Sequence, residues 1–197
     1  MSKRALGLAV AGSIPLALFV GSLSPISEVG LILMVAVLVF ASRTAAGFRW
    51  DLLRGVAAGA IAGLTVLGPG LRLAMRMVAV ADPFRVPEFT VGGTMFIVIG
   101  VGLIFGTIVG AHVIPASRLL ELRRPAISIA TAAVIVLLLL ANAELRSELT
   151  HLGRGLWANI PMFGAVGFAY GWATDLLARR FEEQVRGRRR TERVGVS

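Results

Sequence analysis

The chain has no cysteine, which excludes disulfides, thiolate nucleophiles and cysteine-held clusters and leaves the redox compartment unreadable. Two histidines are too few for paired haem ligation across a helical bundle. Charge is scarce too: charged residues are 16% of the chain against 56% hydrophobic, so a water-facing surface of ordinary charge density cannot be built. Lys3 is the only lysine, and arginine supplies nearly all the positive charge. Enzyme signatures are missing as well. There is no His-Glu-x-x-His, no pair of aspartates within an apolar run and no Gly-x-Ser-Gly nucleophile motif. Gly92-Gly93 has no phosphate-loop lysine downstream. No catalytic residue, metal set or cofactor is nominated, and the chain reads as a non-enzyme.

What the chain does have is long apolar runs. Those without a charged residue are Ala5–Gly21, Val29–Ser42, Gly55–Leu71, Phe89–Ser117, Pro125–Ala143 and Gly155–Thr174. A helix needs roughly 20 residues to cross a ~30 Å hydrocarbon core, and most of these runs are near that length. Lipid offers the backbone no hydrogen-bond partner, so such runs must be helices or closed barrel strands. Barrel strands alternate in polarity, and these runs do not. The second run is the short one, about 21 Å at ~1.5 Å per residue, and residues from Pro25 to Glu28 bring it close to spanning.

The basic residues fit that count. With the N-terminus inside, fifteen of the twenty lie on the cytoplasmic side: Lys3, Arg4, Arg43, Arg49, Arg54, Arg118, Arg123, Arg124 and seven from Arg179 to Arg193. The other five are Arg72, Arg76, Arg85, Arg146 and Arg154. The positive-inside rule therefore favours six spans with both termini cytoplasmic. The expected fold is all-α, a polytopic transmembrane helical bundle of six helices in a bacterial inner membrane. Residues 1–178 would form one transmembrane domain and 179–197 a basic cytoplasmic tail. A cleaved signal peptide is the rival reading of the first run, with Met1–Arg4 as its basic start and Val20-Gly21-Ser22 as its cleavage site. It would leave five helices.

The net charge of +9 does not indicate nucleic acid as a partner. The excess sits in the loops and tail assigned to the cytoplasmic side, where topology and anionic headgroups account for it. Asp175 to Arg193 alternates apolar and charged positions, as a helix running on into water or along a membrane surface would. Membrane lipids are the expected partners of its Arg186-Gly-Arg188-Arg189-Arg190 patch.

Glycines mark packing faces. Gly55, Gly59 and Gly63 recur every fourth residue in the third run, Gly102, Gly106 and Gly110 in the fourth, and Gly167 and Gly171 in the sixth. Small residues so spaced form a groove that lets a neighbouring backbone approach. This predicts the third, fourth and sixth helices as the tight centre; a homo-oligomer or a partner membrane protein would suit the same faces. The fourth and sixth runs end alike, in glycine steps followed by paired arginines, which a duplicated hairpin would explain. Trp50, Trp157, Trp172 and Tyr170 read as interfacial anchors.

The third run is the least ordinary. Gly68-Pro69-Gly70 predicts a kink or break, because Pro69 lacks an amide donor and crowds the preceding turn. Arg72 and Arg76 follow, four apart and hence on one face. They can snorkel to headgroups or pair with Asp82 or Glu88; they can also form a cationic site for a phosphate or carboxylate. Thr90 and Thr94, Asn142 and Glu144, and Asn159 fall at the same depth. Arg72, Arg76, Thr94, Asn142 and Asn159 are thus the candidate binding residues of an outer polar vestibule for a small solute, ion or lipid headgroup. His112 and Asp175, at comparable depth on the other side, are a candidate proton or ion pair. The alternative role is a structural or accessory subunit that binds through its glycine faces.

The stretch Arg72-Leu-Ala-Met-Arg76, followed by Phe89-Thr-Val-Gly-Gly-Thr94, resembles small bacterial multipass membrane proteins with no assigned function. The likeness covers roughly the third and fourth helices. It implies a membrane location and a distinctive third helix, and brings no substrate or reaction with it.

Overall fold

The structure, a computed structural model, describes residues 2–23, 27–44, 47–80, 90–141 and 156–194. Among them are six helices and no strand: α1 (Lys3–Leu23), α2 (Ser27–Thr44), α3 (Phe48–Val80), α4 (Val91–Leu119), α5 (Arg124–Ala141) and α6 (Leu156–Val194). Two of them, α3 and α4, are long and apolar enough to cross a membrane.

These two run antiparallel with almost nothing between their backbones. A Cβ added to Gly106 would lie 2.5 Å from the Gly59 carbonyl oxygen and 2.6 Å from the Gly63 Cα. Gly55 meets Gly110 in the same way, and Gly63 meets Gly102. Hydrogen is the only side chain that fits, so the periodic glycines are a direct consequence of this crossing. Such an approach brings Cα–H groups onto carbonyl oxygens and multiplies dispersion contacts, each small and collectively large.

The Gly-Pro-Gly segment does not break α3. The helix instead widens into a π turn over Gly63–Leu67, with the Gly68 N–H donating to the Gly63 carbonyl. Pro69 has no N–H for the Thr65 carbonyl and its ring would crowd that turn, so the wide turn sits where the strain would fall. The extra residue has a second effect. In an unbroken α-helix, Gly68 would lie about 140° round the axis from Gly63. The π turn returns it to the α4 side, where a Cβ would be 2.7 Å from the Val98 Cα. α4 has its own π turn here, Phe96–Val101, and the two π segments pack together.

The sixth helix is not part of this crossing in the expected way. Its glycines face α5: a Cβ on Gly167 would lie 2.9 Å from the Ala132 Cα, and one on Gly171 3.0 Å from the Ser128 Cα. The close contacts therefore form two antiparallel pairs, α3–α4 and α5–α6, because sequence spacing reveals a groove but not what fills it. The pairs share a core of Ala62, Leu67, Leu71, Ala74, Val78, Val109, Ile135, Phe163 and Tyr170. Tyr170 is fully buried, and its hydroxyl donates to the Gly106 carbonyl at 2.6 Å. It is a core residue, whereas Trp50 and Trp172 are exposed. A hydroxyl inside an apolar bundle needs a partner, and the bare glycine backbone supplies one.

A second cluster (Leu6, Val10, Ala41, Phe48 and Ala116) seats α1 and α2 against the ends of α3 and α4. α6 passes residue 178 without interruption, and its 39 residues extend about 58 Å at the α-helical rise.

The glycine crossing gives a direct test. Gly106→Leu should lower thermal stability in detergent by about 1–3 kcal/mol or more, since both neighbours are backbone and cannot rotate away. Gly12→Ala, where an added Cβ meets nothing within 4 Å, should be neutral or slightly stabilising. An unchanged melting temperature for Gly106→Leu would refute the contact.

Candidate functional site

Contacts between helices fix which residues share a level. Gly55 opposite Gly110 and Gly68 opposite Val98 put the start of α3 beside the end of α4. Tyr170 on Gly106 and Arg118 on Glu182 set α4 and α6 parallel. Gly70 on Val166 and Arg54 on Glu182 set α3 antiparallel to α6. The bundle accordingly has two polar ends.

At one end lie the predicted vestibule residues. The register brings Arg72 to the level of Thr94, and Arg76 and Thr94 close to that of Asn159. Arg72 is half-buried, Arg76 exposed, Thr94 half-buried and Asn159 buried. The Thr94 hydroxyl donates to the Thr90 carbonyl at 3.1 Å, and Thr90 caps the helix by accepting from the Gly93 N–H. Arg72, Arg76 and Asn159 are each engaged in an interaction. Asn142, Asp82, Glu88 and Glu144 lie outside the described residues.

The opposite end holds a charge network that sequence spacing did not reveal. Glu182 of α6 pairs with Arg118 at the end of α4, with Arg54 of α3 at 3.2 Å and with Arg186 at 2.5 Å. Asp51 joins it, 3.3 Å from Arg118 and 3.7 Å from Arg54. The Arg54 side chain is only 11% exposed and lies 5.3 Å over the Trp50 ring. Its Nε and Nη1 make no aligned hydrogen bond, so the 3.2 Å approach to Glu182 is an ion pair by charge rather than by hydrogen-bond geometry. Burial pushes the Glu182 carboxyl up. The Arg118 hydrogen bond and charge, followed by the charges of Arg54 and Arg186, outweigh it and hold the carboxyl below the usual glutamate range.

His112 and Asp175 do not bond to each other. His112 is buried, with Nδ1 2.7 Å from the Ile108 carbonyl of its own helix. That carbonyl can only accept, so Nδ1 is assigned a proton. Nε2 is buried and has no hydrogen-bond partner among the described residues. Asp175 is committed elsewhere: the Arg179 Nε donates to both its oxygens at 3.1 and 2.9 Å, and the Arg124 Nε lies at 3.4 Å. Two arginines out-compete a neutral imidazole for one carboxylate.

Between the end of α4, the start of α5 and α6 lies a cleft of about 290 Å³. Ser117, Arg118, Glu121, Asp175, Arg179 and Glu182 form its polar part, and Ile114, Leu122, Ile127 and Ala178 its apolar part. No group of three or more histidine or acidic side chains suited to a metal occurs among the described residues.

Compared with protein-family profiles, curated proteins and solved structures, the chain matches none. The class that the fold itself defines is an all-helical protein with two helices able, by length and composition, to cross a membrane.

Glu182 is the hub of the network, so Glu182→Gln should cost about 1–3 kcal/mol by leaving Arg54 buried beside a neutral amide. The pH dependence follows from the sign of the shift. A depressed carboxyl stabilises the fold above its unfolded pKa, and that contribution fades as pH falls through the lower, folded value. Wild-type melting temperature should fall on acidification below the ordinary glutamate range, and Glu182→Gln should fall less. Equal acid sensitivity in the two proteins would remove Glu182 from the hub.

Proposed function

We propose that the chain is a multipass integral membrane protein of six spans with both termini on the cytoplasmic side of a bacterial inner membrane. Its role would be to bind or pass a small anionic solute or lipid headgroup through a polar vestibule at the extracytoplasmic end. The membrane setting is supported by the outward faces of α3 and α4. Only 39% of the most apolar window of each is buried, and Leu73, Met77, Phe96 and Ile104 point outward at 56–70% exposure. A core helix of a water-soluble protein hides its apolar surface; apolar residues on all sides suit lipid. Spans that close together through glycine belong with this setting, because lipid supplies no hydrophobic drive for helices to associate.

The observation that carries the vestibule is that Arg72, Arg76, Thr94 and Asn159 lie within about one to two helical turns of one another at the end away from the arginine-rich network. Guanidinium forks bind phosphate or carboxylate bidentately, and nearby hydroxyl and amide groups complete such a shell. No step of catalysis is implied.

Two measurements test this reading. Single cysteines at Ser2, Ser147 and Ser197 in this cysteine-free chain should react with an impermeant thiol reagent in intact cells only at position 147. Labelling at 197 from outside would invert the topology. Arg72→Lys keeps the charge and loses the planar fork, so binding of an anionic lipid or solute should weaken about tenfold with folding nearly intact. Full retention of binding by Arg72→Lys would reduce the arginines to snorkelling side chains.

A further inference from the structure

The cleft at the arginine-rich end has features that the ion network does not use. α4 ends in a Schellman motif, with the Leu122 N–H donating to the Ser117 carbonyl at 2.8 Å and the Glu121 N–H directed at the Arg118 carbonyl at 3.4 Å. The motif requires a left-handed residue, and Glu121 occupies that position with φ of 55°. Glycine is the residue usually found there, because a Cβ is disfavoured in this conformation. The Glu121 carboxylate lines the cleft and, among the described residues, has no ion pair. Its side chain contributes nothing to the turn that a glycine would not provide better.

At Asp175, another lining residue, the balance is reversed. Arg124 and Arg179 both converge on the single carboxylate of Asp175, and both approach it through Nε. One positive charge is left over, and the two arginine side chains are 46% and 44% exposed. Ile114, Leu122, Ile127 and Ala178 form the apolar floor of the cleft.

We propose that this cleft binds a zwitterionic phosphate–ammonium headgroup, the phosphate against Arg179 and the primary ammonium against Glu121, both of which line it. Guanidinium groups recognise phosphate oxygens with paired N–H donors, and a primary ammonium gives a carboxylate the charge-assisted hydrogen bonds that a quaternary one cannot. The apolar floor fits the first carbons of an attached chain. A lipid source rests on the membrane reading above and is independent of the vestibule at the other end.

The test uses the full chain, delipidated in detergent and mixed with phosphatidylethanolamine, phosphatidylcholine or phosphatidylglycerol, with retained lipid read by native mass spectrometry. Wild type should retain the ethanolamine lipid about tenfold better than the other two. Glu121→Gln should abolish that preference without changing phosphatidylglycerol retention, and Arg179→Gln should weaken all three. Glu121→Gly should lose the preference while raising the melting temperature, a gain that a structural role for the glutamate would not give. Soluble phosphoethanolamine that competes at equal concentration would identify the headgroup alone as sufficient; failure to compete would assign the occupant to lipid. Equal retention of the three lipids by wild type, or a preference that survives Glu121→Gln, would overturn the proposal. The cysteine-labelling pattern can fail without altering phosphoethanolamine binding, so the two readings fall separately.

Discussion

The backbone contact between α3 and α4 is the constraint on which the remaining geometry depends. Where three glycines of one helix lie on three of the other, backbone meets backbone, and their rotation and register are fixed together. The π turn at Gly63–Leu67 extends that face by one more step and brings Gly68 onto Val98. The Tyr170 hydroxyl then reaches the Gly106 carbonyl, and α6 takes its level from α4. Spacing one side chain into this crossing would displace every contact that follows.

The charge network at one end is a consequence of this register. Asp51, Arg54, Arg118 and Glu182 come from three helices, and they meet because the glycine contacts align the start of α3 with the end of α4. Burial strips hydration from these charges, so removing one partner leaves another uncompensated and is costly, whatever the net worth of the intact pairs. The network also separates the two polar ends chemically. One is a dense set of paired ions with a cleft at its side; the other holds Arg72 and Arg76, each engaged in an interaction, with hydroxyl and amide groups.

The third helix illustrates how a local signal and its structural outcome differ. Gly68-Pro69-Gly70 correctly marks an irregularity, since a missing donor and a crowding ring are local facts. Its form, a continuous helix with a wide turn just before the proline, depends on α4 being there to reward the rotated face. His112 shows the same limit. Its position on an apolar helix marks an unusual residue, but the choice of the Ile108 carbonyl over Asp175 follows from two arginines on other turns and another helix.

The sequence by itself determined the helical class, the position of the helices, the glycine faces and the basic bias of the loops. All of these depend on period and composition within one segment. Only the tertiary structure decided which face meets which. It paired the sixth helix's glycines with α5, buried Tyr170, gathered Asp51, Arg54, Arg118 and Glu182, and put Glu121 in a left-handed turn beside a cleft. Such outcomes join residues far apart in the chain, and no local pattern records the partner. The physical reason is that a groove, a charge or an unpaired hydroxyl states what must be satisfied, whereas packing of the whole bundle selects what satisfies it.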